Sequence, residues 1–534
     1  MISRRLALAL LVFTFAPQLR AQPSREALHQ HASVSSETVD QLVDRLARLL
    51  EQDQLGRARE IVNGALRRYP SNAALHDIAG VIDAREGAAA NAERHFRAAI
   101  SADARMASAY LNLGRLYQEQ AHADPAAARK ALDVYQNLLR VDSANSEGLY
   151  QAAYLSATLG EWRYSQDLLS RLPPALQDRP QALAVAVVDA AGLGDRTRVD
   201  AMTTTFLAHP ELTEHDVLAV VPALNRAKHD GLLVQMLTAL DRRGLASAQS
   251  LRQLGLSHAR RNNLVEAREI LERAVRSVDA SAVPILLDVA RVAYKQGDFE
   301  GAIRHLARAR DLDSRNAQVH FMFGLACIGL NLGSEAYESL KKAVALAPDN
   351  PYVNYAMGAV AIHRHETSEA LPYFEAYVRL QPDDPRGRFA LGAARFYSNE
   401  FDAARIELGR AATSPETASG AHYFLARIAR QLNDVERARR EIDNALKLNP
   451  QHADGWAELG LLQTRGGQYD AAAQSLERAL SLDPENYAAT ANLAALYTRT
   501  KDPRRDEQAM RLEELQKKRA VAAQEFLRII QVVQ

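Results

Sequence analysis

A 34-residue unit, Ala453 to Asn486, constrains this chain more than any other feature, because much of the sequence repeats it. Trp456, Leu459 and Gln463 fall at i, i+3 and i+7 and so share one face of a first helix. Gly460 sits on that face, where a hydrogen-sized side chain lets a second helix cross closely. Gly466-Gly467 closes the first helix, since glycine readily takes the left-handed conformation of a C-terminal cap. Ala472, Leu476 and Ala479 then mark the inner stripe of a second helix, which Pro484 cannot continue. The unit is a helical hairpin with both apolar stripes facing inward.

One hairpin of this size cannot bury both stripes alone, and the sequence supplies neighbours. Stepping back by 34 from Gly460, Ala472, Ala479 and Pro484 gives Ala426, Ala438, Ala445 and Pro450. Further back come Gly392, Ala404, Ala411 and an early Pro415, then Gly358, Ala370, Tyr377 and Pro382. Gly324, Ala336, Ala343 and Pro348 follow. Five consecutive copies in register resemble the tetratricopeptide (TPR) repeat, a helix-turn-helix solenoid unit. The resemblance implies an all-α fold, a right-handed superhelical solenoid of about fourteen stacked hairpins held by nearest-neighbour interfaces.

The repeat overrides the expectation of several globular domains for a chain of 534 residues. With 65 basic and 65 acidic residues the net charge is zero, which argues against a general nucleic-acid or anionic-membrane surface. Cys327 is the only cysteine, so neither a disulfide framework nor a thiolate metal site is expected. It lies on the inner face of a first helix and reads as a small buried hydrophobe.

In chain order, residues 1–21 read as a secretory signal peptide. Arg4-Arg5 provide the positive region, Leu6 to Ala16 the apolar run, and Leu19-Arg20-Ala21 a cleavage site. The apolar run is shorter than the roughly 20 residues that span a bilayer. The mature protein is therefore expected to be periplasmic or secreted, without membrane insertion. Residues 22–38 are polar and read as a disordered lead-in. N-terminal repeats are expected over 39–145, where Tyr110, Leu113, Gly114 and Tyr117 open the fullest first helix. About five extra residues around Ala121 to Pro125 are expected to extend the turn of that hairpin.

Over 146–247 the register holds but the signature fades, with Pro222 inside a first helix. The section reads as divergent repeats, or as a kink or break in the array. Residues 248–486 restore the pattern, and 487–534 hold a last repeat and a capping helix. The final run, Glu525 to Val533, reads as a cap for the exposed terminal stripe or as a homodimer contact.

Catalytic motifs are not found. Gly255-Leu256-Ser257-His258-Ala259 lacks the second glycine of a nucleophile elbow. Gly192-Leu193-Gly194 lacks a third glycine and a preceding strand. His363 and His365 are two residues apart, so on a helix they point roughly 200° from one another and do not clasp one metal ion. Acidic pairs such as Asp383-Asp384 lie at inter-repeat turns, where Asp caps the next helix. No cofactor, metal or catalytic residue is expected, and the chain reads as a non-enzyme.

The TPR resemblance further implies that first helices line a concave groove through positions 2, 5, 9, 12 and 13 of each repeat. Here those positions give Arg291, Tyr294, Lys295, Phe321, Tyr352, Tyr355 and His363, then Phe389, Phe396, Tyr397, Tyr423, Arg427 and Arg430. Aromatic residues and arginine dominate binding hot spots, although the same rings can simply pack between adjacent helices. The lysine and asparagine set with which some TPR domains hold a C-terminal carboxylate is not found.

The function expected is a non-enzymatic scaffold of the bacterial cell envelope that holds a peptide or protein in this groove. The alternatives are a periplasmic component of polysaccharide export, with rings stacking sugars, and an enzyme with its site in 146–247. Convergent polar residues of perturbed pKa would mark the last of these.

Overall fold

The structure is a computed structural model that describes residues 38–121, 124–278, 282–364 and 366–519. The expected signal peptide, all but the last residue of the lead-in, and the final apolar run lie outside the described residues. Everything regular within them is helical.

Two compact units divide at residue 151. The first holds α1 (Val39–Glu51), α2 (Leu55–Arg68), α3 (Ala73–Arg85), α4 (Ala89–Ala102), α5 (Ala107–Gln120), α6 (Pro125–Val141) and the start of α7 (Ser146–Leu159). The second continues through α8 (Trp162–Ser170), α9 (Pro174–Gln177), α10 (Pro180–Gly192), α11 (Arg196–Ala208), α12 (Glu214–Arg226) and α13 (Asp230–Arg242). It then runs through α14 (Ala248–Arg260), α15 (Leu264–Arg276), α16 (Val283–Lys295), α17 (Phe299–Leu312), α18 (Ala317–Gly329) and α19 (Gly333–Leu346). Next come α20 (Pro351–His363), α21 (Thr367–Leu380), α22 (Pro385–Tyr397), α23 (Phe401–Ala411), α24 (Ala418–Gln431) and α25 (Val435–Leu448). The unit ends with α26 (Ala453–Arg465), α27 (Tyr469–Leu482), α28 (Tyr487–Thr500) and α29 (Arg505–Arg519). Apart from the four-residue α9, the helices follow one another as first and second members of hairpins.

The repeat chemistry explains the hairpin. A Cβ at Gly460 would lie 2.5 Å from Leu476 Cγ and 3.2 Å from the Ala472 carbonyl oxygen, so only glycine lets the helices cross there. Gly324 meets Leu340 in the same way, and Gly358 meets the ring of Phe374. The turn between the two helices needs one left-handed residue, and it recurs with the period. Gly297, Asn331, Asn399, Asn433 and Gly467 all have φ between 59° and 77°. Asn316, Asn350, Asp384 and Asn486 recur at the other turns, where their side chains cap α18, α20, α22 and α28.

This geometry makes a prediction at two glycines. Gly460→Val is expected to destabilise by about 1–3 kcal/mol, because its side chain must displace Leu476 and a backbone carbonyl. Gly409, inside α23 with open space where a side chain would stand, should instead gain up to about 1 kcal/mol as alanine. Urea unfolding of the two variants checks the opposite signs.

One local expectation is revised. The extra residues near Ala121 lengthen a helix as well as the turn, since α6 runs 17 residues where α4, the second helix of the preceding hairpin, has 14. α12 continues through Pro222, so this proline does not break the array. The Pro173-Pro174 pair opens the short α9 before the next hairpin starts. At the C-terminal end α29 packs on α28 and buries Leu515, covering part of the last stripe.

Candidate functional site

In the second unit, first helices lie side by side: α16 against α18, α18 against α20, α22 against α24, and α26 against α28. The thirteen residues at the groove positions all lie on first helices, but their environments differ.

Three are core residues. Tyr355 is 2% exposed, with its ring 5.7 Å from Phe374 and 5.0 Å from Tyr377. Phe389 and Phe396 are also buried and pack edge-on against Phe424 at 5.9 and 5.4 Å. Burial also raises the Tyr355 phenol well above its ordinary value. These rings fill space between helices and offer no face to a partner. Tyr294 and Phe321 are half-buried against the neighbouring core, the former edge-on to Phe299.

Two arginines are already neutralised. Arg291 donates to Asp288 at 3.0 Å, and the other oxygen of that buried carboxylate accepts from Arg252 at 2.6 Å. Arg430 donates through Nε to Glu458 on the next first helix, both side chains being nearly buried. His363 closes α20, and His365 lies outside the described residues.

The residues that stay exposed are Lys295, Tyr352 and Tyr397 (44% and 38% for the two tyrosines), together with the partly exposed Arg427, which hydrogen-bonds the Tyr397 side chain. Arg427 is the centre of the site. Its guanidinium carbon sits 4.6 Å from the Phe396 ring centre, 5.4 Å from Tyr423, 5.6 Å from Phe424 and 5.8 Å from Tyr397. Nη1 also donates to the Tyr423 hydroxyl at 3.3 Å. Tyr423 is itself half-buried, its ring 5.0 Å from His452, and burial raises its phenol. The cage draws Phe396 and Tyr397 from α22 and Tyr423 and Phe424 from α24, so it forms only where two repeats meet.

Phe424, Asp288 and Glu458 were not among the predicted residues. All three hold position 6 of their repeats, where Met322, Ala356 and Ala390 stand elsewhere. An acid at an otherwise apolar inner position is a readable signal that a neighbouring arginine will be paired.

The section 146–247 holds one strongly perturbed group. Asp189 on α10 is 2% exposed, and neither of its oxygens has a hydrogen-bond partner. Burial pushes its carboxyl up to about 7, with Ser165 and Arg198 opposing only part of that rise. Ser165 is fully buried, and the Trp162 indole occupies the space a side chain at Gly192 would need. The group is sealed from solvent. Cys327 is buried too, its thiol pushed up to about 11 by burial. Among the described residues no cluster of three His, Cys, Asp or Glu could hold a metal ion, and no helix is long and apolar enough to cross a membrane.

Tetratricopeptide-repeat family models match residues 293–360, 355–421, 423–487 and 465–520. No curated protein matches the chain in sequence. Among solved structures, a tetratricopeptide repeat protein from Parabacteroides merdae is 15% identical over 47% of this chain and 98% of its own, with TM-score 0.40. Pseudomonas aeruginosa pilF is 24% identical over 38% of this chain and 92% of its own, with TM-score 0.34. Yeast Tom70 is 18% identical over 87% and 95%, also with TM-score 0.34.

Proposed function

The chain is a tetratricopeptide repeat protein, and from that premise we propose that it is a non-enzymatic interaction scaffold of the bacterial cell envelope. It holds a peptide or protein partner on the first-helix face from α20 to α24. The observation that carries this reading is the exposed Tyr397 beside the caged Arg427, an aromatic and arginine pair of the kind that anchors interfaces. Tyr352, one repeat earlier, extends the same face. The envelope location is supported by the charged and apolar pattern of residues 1–21.

A role in polysaccharide export has less support, since Tyr355, Phe389 and Phe396 are buried and cannot stack on a sugar. A catalytic reading of 146–247 has less support still. Its perturbed carboxyl, Asp189, is closed to solvent and to any substrate.

The test places a photo-crosslinking residue at Tyr397 or, as a control, at Ile406 on the second helix α23, which is also exposed. The envelope and soluble fractions of the native cell are then compared. A discrete crosslinked product from Tyr397, in the envelope fraction, and none from Ile406 is the expected result. It should disappear in a Tyr352→Ala, Arg427→Gln variant. Equal products from both positions would move the site off the first-helix face, and recovery only from the cytosol would remove the envelope assignment.

A further inference from the structure

α22 and α24 together carry five arginines and no carboxylate. Four of the five are paired with acids from elsewhere: Arg386 with Asp384 at 2.7 Å, Arg388 with Glu407 and Arg395 with Glu375 at 3.1 Å, and Arg430 with Glu458. Arg427 is the exception. Among the described residues no carboxylate lies within ion-pair distance of it, and its contacts are four rings and the hydroxyls of Tyr423 and Tyr397. Aromatic faces attract a cation through their quadrupoles but carry no net charge, so the guanidinium stays positive in a partly dry site. The rings also fix its plane, which leaves a preorganised fork of donors rather than a mobile charge. The cage is filled by its own arginine, so it is a receptor for an anion and not for an ammonium ligand.

Resting on the groove reading above, we infer that Arg427 receives the carboxylate of an aspartate or glutamate side chain within the bound segment, and that the exposed Tyr397 ring packs the residue beside it. An internal side chain fits better than a chain end. Further first helices continue on both sides of the cage, α20 and α22 before α24 and α26 after it, so a segment crossing Arg427 has surface to follow in each direction. A terminal carboxylate would gain nothing from Arg430, the other arginine of α24, which is committed to Glu458.

The experiment selects random 12-residue peptides on the full chain from two displayed libraries, one with both peptide ends fused and one with free C-termini. The fused library is expected to converge on one invariant Asp or Glu next to an apolar residue. For the best such peptide, made synthetically and labelled, anisotropy should show about 10- to 100-fold weaker binding when its acid becomes the amide, and the same loss on Arg427→Gln. Combining the two changes should cost no more than either alone. Arg427→Lys, which keeps the charge but not the planar fork, should recover only part of the loss, and circular dichroism confirms that each variant is folded. Convergence without an acidic position, with binding still lost in Tyr397→Ala, overturns the carboxylate assignment and leaves the groove reading standing. An acidic position whose loss adds to that of Arg427→Gln also overturns it, as does convergence from free C-termini alone. If neither library converges, both readings fall.

Discussion

At pH 8, Asp189→Asn is expected to be more stable than the parent chain by about 4 kcal/mol, and at pH 4 the two should be nearly equal. Asp189 is buried with neither oxygen hydrogen-bonded, which favours the neutral acid and pushes its carboxyl from 3.8 up to about 7. Between those values the unfolded chain has released a proton that the folded chain retains. Stability therefore falls as pH rises from about 4 to 7 and levels off above that, at 1.36 kcal/mol for each pH unit of the difference. Asparagine is close in shape to the neutral acid and does not titrate. The measurement is urea unfolding at several pH values with Trp456 changed to phenylalanine. That leaves Trp162, packed on Gly192 of the same helix as Asp189, as the single tryptophan. A parent and variant that track each other from pH 4 to 8 would falsify the assignment.

Leu340→Ala should cost about 2–5 kcal/mol, the range for emptying a fully buried leucine site. Leu340 is 0% exposed on α19, directly under Gly324 of α18, in one core cluster with Val319, Met322 and Ala336. The glycine that admits the leucine cannot fill the space left by its removal. Since each repeat touches only its neighbours, the loss should be local. Amide hydrogen exchange is expected to quicken about 30-fold or more in α18 and α19, with α1 to α4 unchanged. Uniform acceleration across the chain would mean that the array unfolds as one unit.

The fold was legible because its determinants are local and periodic. Gly460, Ala472, Leu476 and the left-handed Gly467 each act within one hairpin, so a spacing of 34 is enough to find them again. The site was less legible because its determinants lie between hairpins. Phe389 holds a groove position by number, yet its ring lies where a side chain at Gly420, in the next repeat, would stand. A missing side chain one repeat away draws the ring inward. Likewise Arg291 and Arg430 look like free cations until Asp288 and Glu458 are placed beside them. Position in a repeat tells which way a residue starts out; the neighbouring repeat decides where it ends.

The cage around Arg427 straddles one seam, with two rings from each side. Repeat arrays change length over evolution by gaining and losing whole copies, and most seams in this chain could absorb such an event with little change to the neighbouring hairpins. A copy inserted between α23 and α24 would instead part Phe396 and Tyr397 from Arg427 and abolish the cage. If the cage is what selection preserves, this seam is the fixed point from which copy number is counted, and descendants of this chain should differ in length on either side of it but not across it.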